Sequence, residues 1–135
     1  MGLLTTKISN NAMQLGLLLM RLAAGSFMIT HGYPKLIGFT TKVKTFPDPI
    51  GLGSELALLL TIFAELLCSA LLFLGLMTRL ALIPLIITMA VVIFVVHAGE
   101  PFGKIELAAF YLVTYLFLML TGPGKFSLDN WVLKK

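Results

Sequence analysis

The sequence is poor in charged residues. Only 12% of its 135 residues are charged, while 59% are hydrophobic, and the mean hydropathy is +1.01. A soluble domain of this length has too little interior to bury so much apolar surface, whereas a membrane protein exposes that surface to lipid. The composition therefore predicts a small integral membrane protein whose first partner is the lipid bilayer.

Cysteine and histidine are also scarce. The single cysteine, Cys68, excludes an intrachain disulfide and a self-contained CxxC redox pair. The two histidines and the one cysteine lie on different segments and do not form a metal-site pattern, so no metal is expected. The net charge of +4 is mild, and no basic stripe indicates nucleic acid as a partner.

Four apolar runs have the length and composition of membrane-spanning helices, which need about 20 residues each. We predict one all-α domain over residues 1–135, an integral membrane four-helix bundle. The predicted spans are residues 12–33, 55–77, 80–97 and 105–121. Pro34 is expected to end the first span, because the residue before a proline disfavours the helical conformation.

The connection between the first two spans, residues 34–54, is the only long one. Prolines and glycines interrupt it, yet apolar residues remain between its lysines. This mixture predicts a segment that lies at the membrane interface or dips back over the mouth of the bundle. Long loops in compact folds are often functional.

The orientation follows from the lysine and arginine residues outside the spans, which are more frequent on the cytoplasmic side of membrane proteins. The side of the termini carries Lys7, Arg79, Lys125, Lys134 and Lys135, and the opposite side carries Lys35, Lys42, Lys44 and Lys104. This small excess predicts that both termini are cytoplasmic.

Arg21 lies within the apolar body of the first span. A charge in hydrocarbon costs about 3 kcal/mol or more, so Arg21 is expected to face the bundle interior and find a partner. Counted from the same side of the membrane, the depths of Arg21 and Glu65 in their helices agree to within one turn. This agreement predicts an Arg21–Glu65 pair. Such a pair either belongs to a substrate or quinone site or acts as a clamp that sets helix register.

His31 and His97 fall at matching ends of the first and third spans, on the same side as Glu100 and Glu106. Histidine exchanges protons near neutral pH. The group suits a proton-coupled site for a quinone headgroup or a small polar molecule. The alternative is a pair of interfacial histidines that bond to the loop backbone.

Three motifs resemble those of the DoxX family. The segments that carry the resemblance are RLAAGSFMITHGYPKL, with Arg21, Gly25, His31, Gly32 and Lys35; AELLCSALLFLGLMTRLA, with Glu65, Gly75, Thr78 and Arg79; and GPGKFSLDNW, with Gly122, Gly124, Ser127, Leu128 and Asp129. The resemblance implies a four-helix bundle in the bacterial inner membrane. It also implies a link to redox systems, since some relatives are associated with thiosulfate:quinone oxidoreductases and others with membrane oxidoreductase complexes.

These observations lead to one functional hypothesis and one alternative. The hypothesis is a redox subunit, working as a homo-oligomer or with a partner subunit, that binds a quinone or similar molecule at the periplasmic mouth. Its predicted catalytic residues are His31, His97 and Glu106, and its predicted substrate-binding residues are Arg21, Glu65, Lys35 and Glu100. The alternative is a non-enzymatic accessory subunit, or a small transporter-like protein, whose buried charges are structural.

Overall fold

The computed structural model describes residues 2–133 and is built from helices. Four of them are long and apolar enough to cross a membrane, as predicted for an all-α membrane bundle. In chain order the helices are α1 (Asn10–Ile37), α2 (Phe39–Lys42), α3 (Ser54–Leu74), α4 (Thr78–Val96), α5 (Phe102–Thr121) and α6 (Leu128–Val132). Lys134 and Lys135, which contribute to the predicted orientation, lie outside the described residues.

The prediction that Pro34 ends the first span is wrong, because α1 continues to Ile37. Pro34 lies in the last turn of the helix, where its missing N–H removes only one backbone hydrogen bond. The turn that follows is closed by the Gly38 N–H, which donates to the Pro34 carbonyl oxygen at 2.9 Å. The extra turn carries Lys35 into the bundle.

Two glycines bring α1 and α3 into close contact. A Cβ atom at Gly25 would lie 2.9 Å from Cβ of Phe73, and one at Gly32 would lie 2.9 Å from the backbone carbonyl carbon of Glu65. The two glycines are seven residues apart, about two turns, and therefore share one face of α1. They set the antiparallel register, with Gly32 opposite Glu65 and Gly25 opposite Phe73.

Two stretches of the spanning helices are π-helical rather than α-helical. The first is Phe63–Cys68 in α3, which contains Glu65, and the second is Val92–Val96 in α4, which ends next to His97. Because a π turn holds an extra residue, it shifts the direction of the side chains around it, and such turns are frequent at functional sites.

The core lies between the four long helices, and their outer faces are apolar. Leu72, Leu82, Leu85, Tyr115 and Leu118 are completely buried. Large apolar side chains such as those of Phe94, Phe110 and Leu120 are exposed. An apolar exterior of this kind is the surface that lipid covers in a membrane protein.

Candidate functional site

Arg21 is buried at the end of the bundle where the two termini lie, and its guanidinium group binds backbone carbonyls. Nη1 donates to the carbonyl oxygen of Pro123 at 2.7 Å, and Nη2 donates to that of Phe126 at 2.7 Å. Nε lies 3.4 Å from the carbonyl oxygen of Phe73. The donors of Arg21 thus hold the segment after α5 against the end of α3.

The predicted Arg21–Glu65 pair is therefore wrong. The reason is the helix register, since Gly32 and not Arg21 lies opposite Glu65. Arg21 is eleven residues before Gly32, so it lies about 16 Å further along the bundle axis, at 1.5 Å per residue. Both roles left open for that pair fall with it, and the structure gives Arg21 a different structural role, to bind the carbonyl oxygens of Phe73, Pro123 and Phe126.

Asp129 fastens the same segment to the start of α4. Its carboxylate accepts hydrogen bonds from the backbone N–H groups of Met77 at 2.7 Å and Thr78 at 2.8 Å. Its own N–H donates to the carbonyl oxygen of Gly75 at 2.7 Å. The first N–H groups of a helix have no partner within it, and a carboxylate there also complements the helix dipole.

Gly75 and Arg79 complete this end of the bundle. Gly75 has a φ of +70°, and a Cβ there would lie 2.6 Å from Cβ of Ser127, so only glycine fits. Arg79 Nε donates to the carbonyl oxygen of Met119 at 3.0 Å, near the end of α5. We call Arg21, Gly75, Arg79 and residues 122–129 the terminal clasp.

Glu65 has a different partner, Lys35. Lys35 Nζ lies 2.6 Å from Glu65 Oε2 and also donates to the carbonyl oxygen of His31 at 3.1 Å. The side chain of Glu65 is 7% exposed and that of Lys35 is 22% exposed. Sequence reasoning placed both residues in one binding set but missed the pair, because it ended α1 before Lys35.

The Lys35–Glu65 pair lies in the wall of a cavity of 260 Å³ between α3, α4 and residues 46–52 of the loop. His97 is the third ionisable side chain of the wall. Most of the remaining lining is apolar and includes Phe46, Ile50, Leu52, Leu60, Ile87 and Val92. We call this space the loop-side cavity; residues of both π-helical turns line it.

The loop is fixed over the cavity by its own hydrogen bonds. Ser54 Oγ donates to the carbonyl oxygen of Phe46 at 2.9 Å, which ties the loop to the start of α3. The Leu52 N–H donates to Asp48 Oδ1 at 2.8 Å. Of the two placements predicted for the long connection, the structure shows the one over the mouth of the bundle, where residues 46–52 line the cavity.

The other predicted site residues are divided between the cavity rim and the outer surface. His97 Nδ1 lies 3.3 Å from Glu100 Oε1. His31 is exposed and packs edge-to-face against Tyr111, with ring centroids 6.1 Å apart. Glu106 is exposed in the first turns of α5.

The structure therefore does not bring the predicted catalytic residues together, since His97 lines the cavity and neither His31 nor Glu106 does. Their catalytic roles stay predictions. Among residues 2–133, no group of three histidine, cysteine, aspartate or glutamate side chains is placed to hold a metal ion.

The fold defines a multi-pass helical membrane protein, and it contains a small, partly open cavity under a loop. The chain belongs to the DoxX family, whose family model matches residues 16–98. That match contains α3, α4 and the loop-side cavity, but it ends before α5 and most of the terminal clasp.

Relatives align along most of the chain. One, from Bacillus subtilis, is named "Putative oxidoreductase CatD" and is 32% identical over 93% of this chain and 92% of its own length. An uncharacterized membrane protein of Mycobacterium tuberculosis is 30% identical over 85% of this chain and 80% of its own length. An uncharacterized protein of Haemophilus influenzae is 32% identical over 86% of this chain and 90% of its own length. No solved structure matches the chain.

Proposed function

We propose that this protein is a membrane subunit of a redox system and binds a quinone or a similar hydrophobic small molecule in the loop-side cavity. The observation that carries the proposal is an apolar cavity whose few ionisable groups, Lys35, Glu65 and His97, converge on one space. Ligand sites in proteins are typically apolar with a small number of placed polar groups. The name of the Bacillus subtilis relative supports the redox assignment.

The cavity size favours a ring-shaped headgroup. Its volume of 260 Å³ is near the lower limit for ligand sites, about 300 Å³. In this proposal the Lys35 ammonium group donates a hydrogen bond to a ring carbonyl oxygen, and the Glu65 carboxylate accepts a hydrogen bond from the reduced, hydroxyl form.

Reduction of a quinone takes up electrons and protons. His97 and Glu100 lie at the rim, 3.3 Å apart, and in this proposal they connect the cavity to the outside for the protons. The electrons come from a partner subunit or from a diffusible donor. The protein itself supplies the binding site and the proton path.

We further propose that the protein lies in the bacterial inner membrane with both termini cytoplasmic. The excess of lysine and arginine on the side of the termini supports this orientation. The loop-side cavity then opens toward the periplasm.

The test is a titration of the purified protein with a short-chain ubiquinone analogue, after mass spectrometry of the lipids that co-purify. Lys35→Met removes the charged donor to the ring carbonyl, and the loss of a charge-assisted hydrogen bond, worth about 1.5–3 kcal/mol, weakens binding of the oxidised analogue by tenfold or more. Glu65→Gln should weaken binding of the reduced, hydroxyl form of the analogue instead. His97→Ala is expected to weaken binding less, because His97 lies at the rim.

His31→Ala is the matched control, because His31 is a histidine at the same end of the bundle that does not line the cavity. We expect it to bind the analogue as the wild type does. A wild-type protein that shows no saturable binding contradicts the proposal, and so does an equal loss in His31→Ala and His97→Ala.

An accessory or scaffold subunit is the second candidate, and the terminal clasp favours it. There the buried charge of Arg21 is used entirely to hold backbone segments together. If quinone does not bind, and Lys35→Met and Glu65→Gln alter only stability, then the Lys35–Glu65 pair is structural, as Arg21 is.

A further inference from the structure

A second concave surface lies at the opposite end of the bundle from the loop-side cavity. It is a groove of 540 Å³ between the first half of α1 and the end of α5, bordered by residues 7–9. Its walls are mostly apolar and include Ala12, Met13, Gly16, Met20 and Phe117. We call it the terminal-side groove.

The length of the groove matches one leaflet of a bilayer. From Ser9 to Met20 the lining runs eleven residues along the chain, which is about 16 Å at 1.5 Å per residue. The hydrocarbon core of a bilayer is about 30 Å thick, so the groove extends over about half of it. With residues 7–9 at the level of the headgroups, the deep part of the groove would be at the depth of the acyl chains.

The mouth of the groove carries a positive charge without a competing acid. Lys7 lines the groove and takes part in no ion pair within residues 2–133. Of the six acidic residues of the sequence, only Asp129 is at this end of the bundle. Its carboxylate is already bonded to the N–H groups of Met77 and Thr78.

We propose that the terminal-side groove binds one anionic phospholipid from the leaflet that contains the two termini. An acyl chain lies along the apolar wall, and the phosphate group meets the ammonium group of Lys7. The inference is independent of the loop-side cavity and of what that cavity binds.

The test compares phosphatidylglycerol with phosphatidylcholine of identical acyl chains, using native mass spectrometry of the full-length protein in detergent. One lysine near an anionic lipid surface adds binding energy equivalent to about a fivefold change in affinity. We therefore expect about fivefold tighter binding of phosphatidylglycerol. Lys7→Ala should abolish this preference and weaken the binding of phosphatidylcholine much less, because the choline group of that lipid offsets the charge of its phosphate.

Gly16→Leu tests the location of the lipid. A Cβ at Gly16 meets nothing within 4 Å, and leucine favours the helix over glycine, so the variant is expected to fold. Its side chain fills the groove and should weaken the binding of both lipids. Gly103→Leu is the matched control, because Gly103 is equally open, lies at the start of α5 and is outside the groove.

The proposal is overturned if the wild type binds the two lipids equally, or if its preference survives Lys7→Ala. It is also overturned if Gly16→Leu retains full lipid binding, or if Gly103→Leu loses as much. A melting curve for each glycine variant shows whether the protein is folded, and the quinone-analogue titration of Gly16→Leu should match the wild type.

Discussion

The terminal clasp and the loop-side cavity each hold a cation, Arg21 buried and Lys35 partly exposed, and the two cations have different partners. Arg21 donates to backbone carbonyl oxygens whose positions are fixed by the chain. Lys35 binds one carboxylate and one carbonyl oxygen, that of His31, in the wall of an open space. A ligand therefore has little to gain from Arg21 but can compete for the Lys35–Glu65 pair. A charged side chain inside the bundle does not by itself indicate a ligand site. Open space beside the charge is also needed for a ligand to reach it.

The backbone is also more tightly connected in the terminal clasp than around the loop-side cavity. The clasp joins α1, α3, α4 and α5 through hydrogen bonds between residues far apart in sequence, such as that from Arg21 to Pro123. The cavity is lined by two π-helical turns and a loop. Regions with irregular backbone and open space tend to have the lower local stability, as ligand sites often do. We infer that the clasp contributes more to the stability of the bundle than the cavity side does.

The largest expected effect is the loss of the clasp in Arg21→Leu. Three carbonyl oxygens lose a charged donor, and a large gap is left where the guanidinium group was buried, so the free energy of unfolding should fall by about 3–5 kcal/mol. The measurement is denaturant unfolding in detergent. Arg79→Leu is the control, since Arg79 also binds carbonyls of α5 but is exposed, and its effect should be much smaller. If Glu65→Gln rescued Arg21→Leu, the two residues would be paired after all.

A double-mutant cycle on the Lys35–Glu65 pair should show an intermediate effect. Lys35→Met leaves the Glu65 carboxylate buried without its partner, at a cost of about 3 kcal/mol. Glu65→Gln should cost less, because the long side chain of Lys35 can reach water. The double variant is expected to be more stable than the sum of the single effects predicts, by about 1–2 kcal/mol. Additive effects in the unfolding measurement would mean that the pair does not stabilise the bundle.

The smallest expected effects come from Gly25 and Gly32, the two glycines that contact α3. One lies near the clasp and the other near the cavity, so their variants test the two regions separately. Gly25→Ala and Gly32→Ala each force α1 away from α3, and overpacking of this kind costs about 1–3 kcal/mol. Only Gly32→Ala displaces Glu65, so only this variant should also weaken binding of the quinone analogue. Gly16→Ala, which meets nothing within 4 Å, should not lower the melting temperature and is expected to raise it slightly, because alanine favours a helix over glycine by about 0.5–1 kcal/mol. Equal losses of affinity in the two contact variants would show that the regions are not independent.

Much of the fold could be predicted because membrane insertion leaves a strong pattern in the sequence. Apolar runs of sufficient length predicted the four long helices, and broken, lysine-bearing composition predicted the interfacial loop. The error at Pro34 arose because a proline in the last turn of a helix removes only one backbone bond. That error hid Lys35, and with it the partner of Glu65.

The site was harder to predict because depth along a helix does not give the register between helices. Arg21 and Glu65 were matched by counting residues from the ends of their spans. The register instead depends on the contacts of Gly25 and Gly32 with α3, which a single sequence does not reveal. The same limit applies to His31 and His97, which occupy matching ends of α1 and α4 but do not line a common cavity.

The sequence by itself determined that the chain forms a membrane bundle, that Arg21 and Glu65 point inward, and that a loop lies over one mouth. These properties follow from apolar length, the cost of burying charge, and chain breakers. Only the tertiary structure decided which partner each charge has. Arg21 binds carbonyls at Pro123 and Phe126, more than a hundred residues away. Every residue has a backbone carbonyl, so no pattern in the sequence marks the ones that a buried arginine will bind.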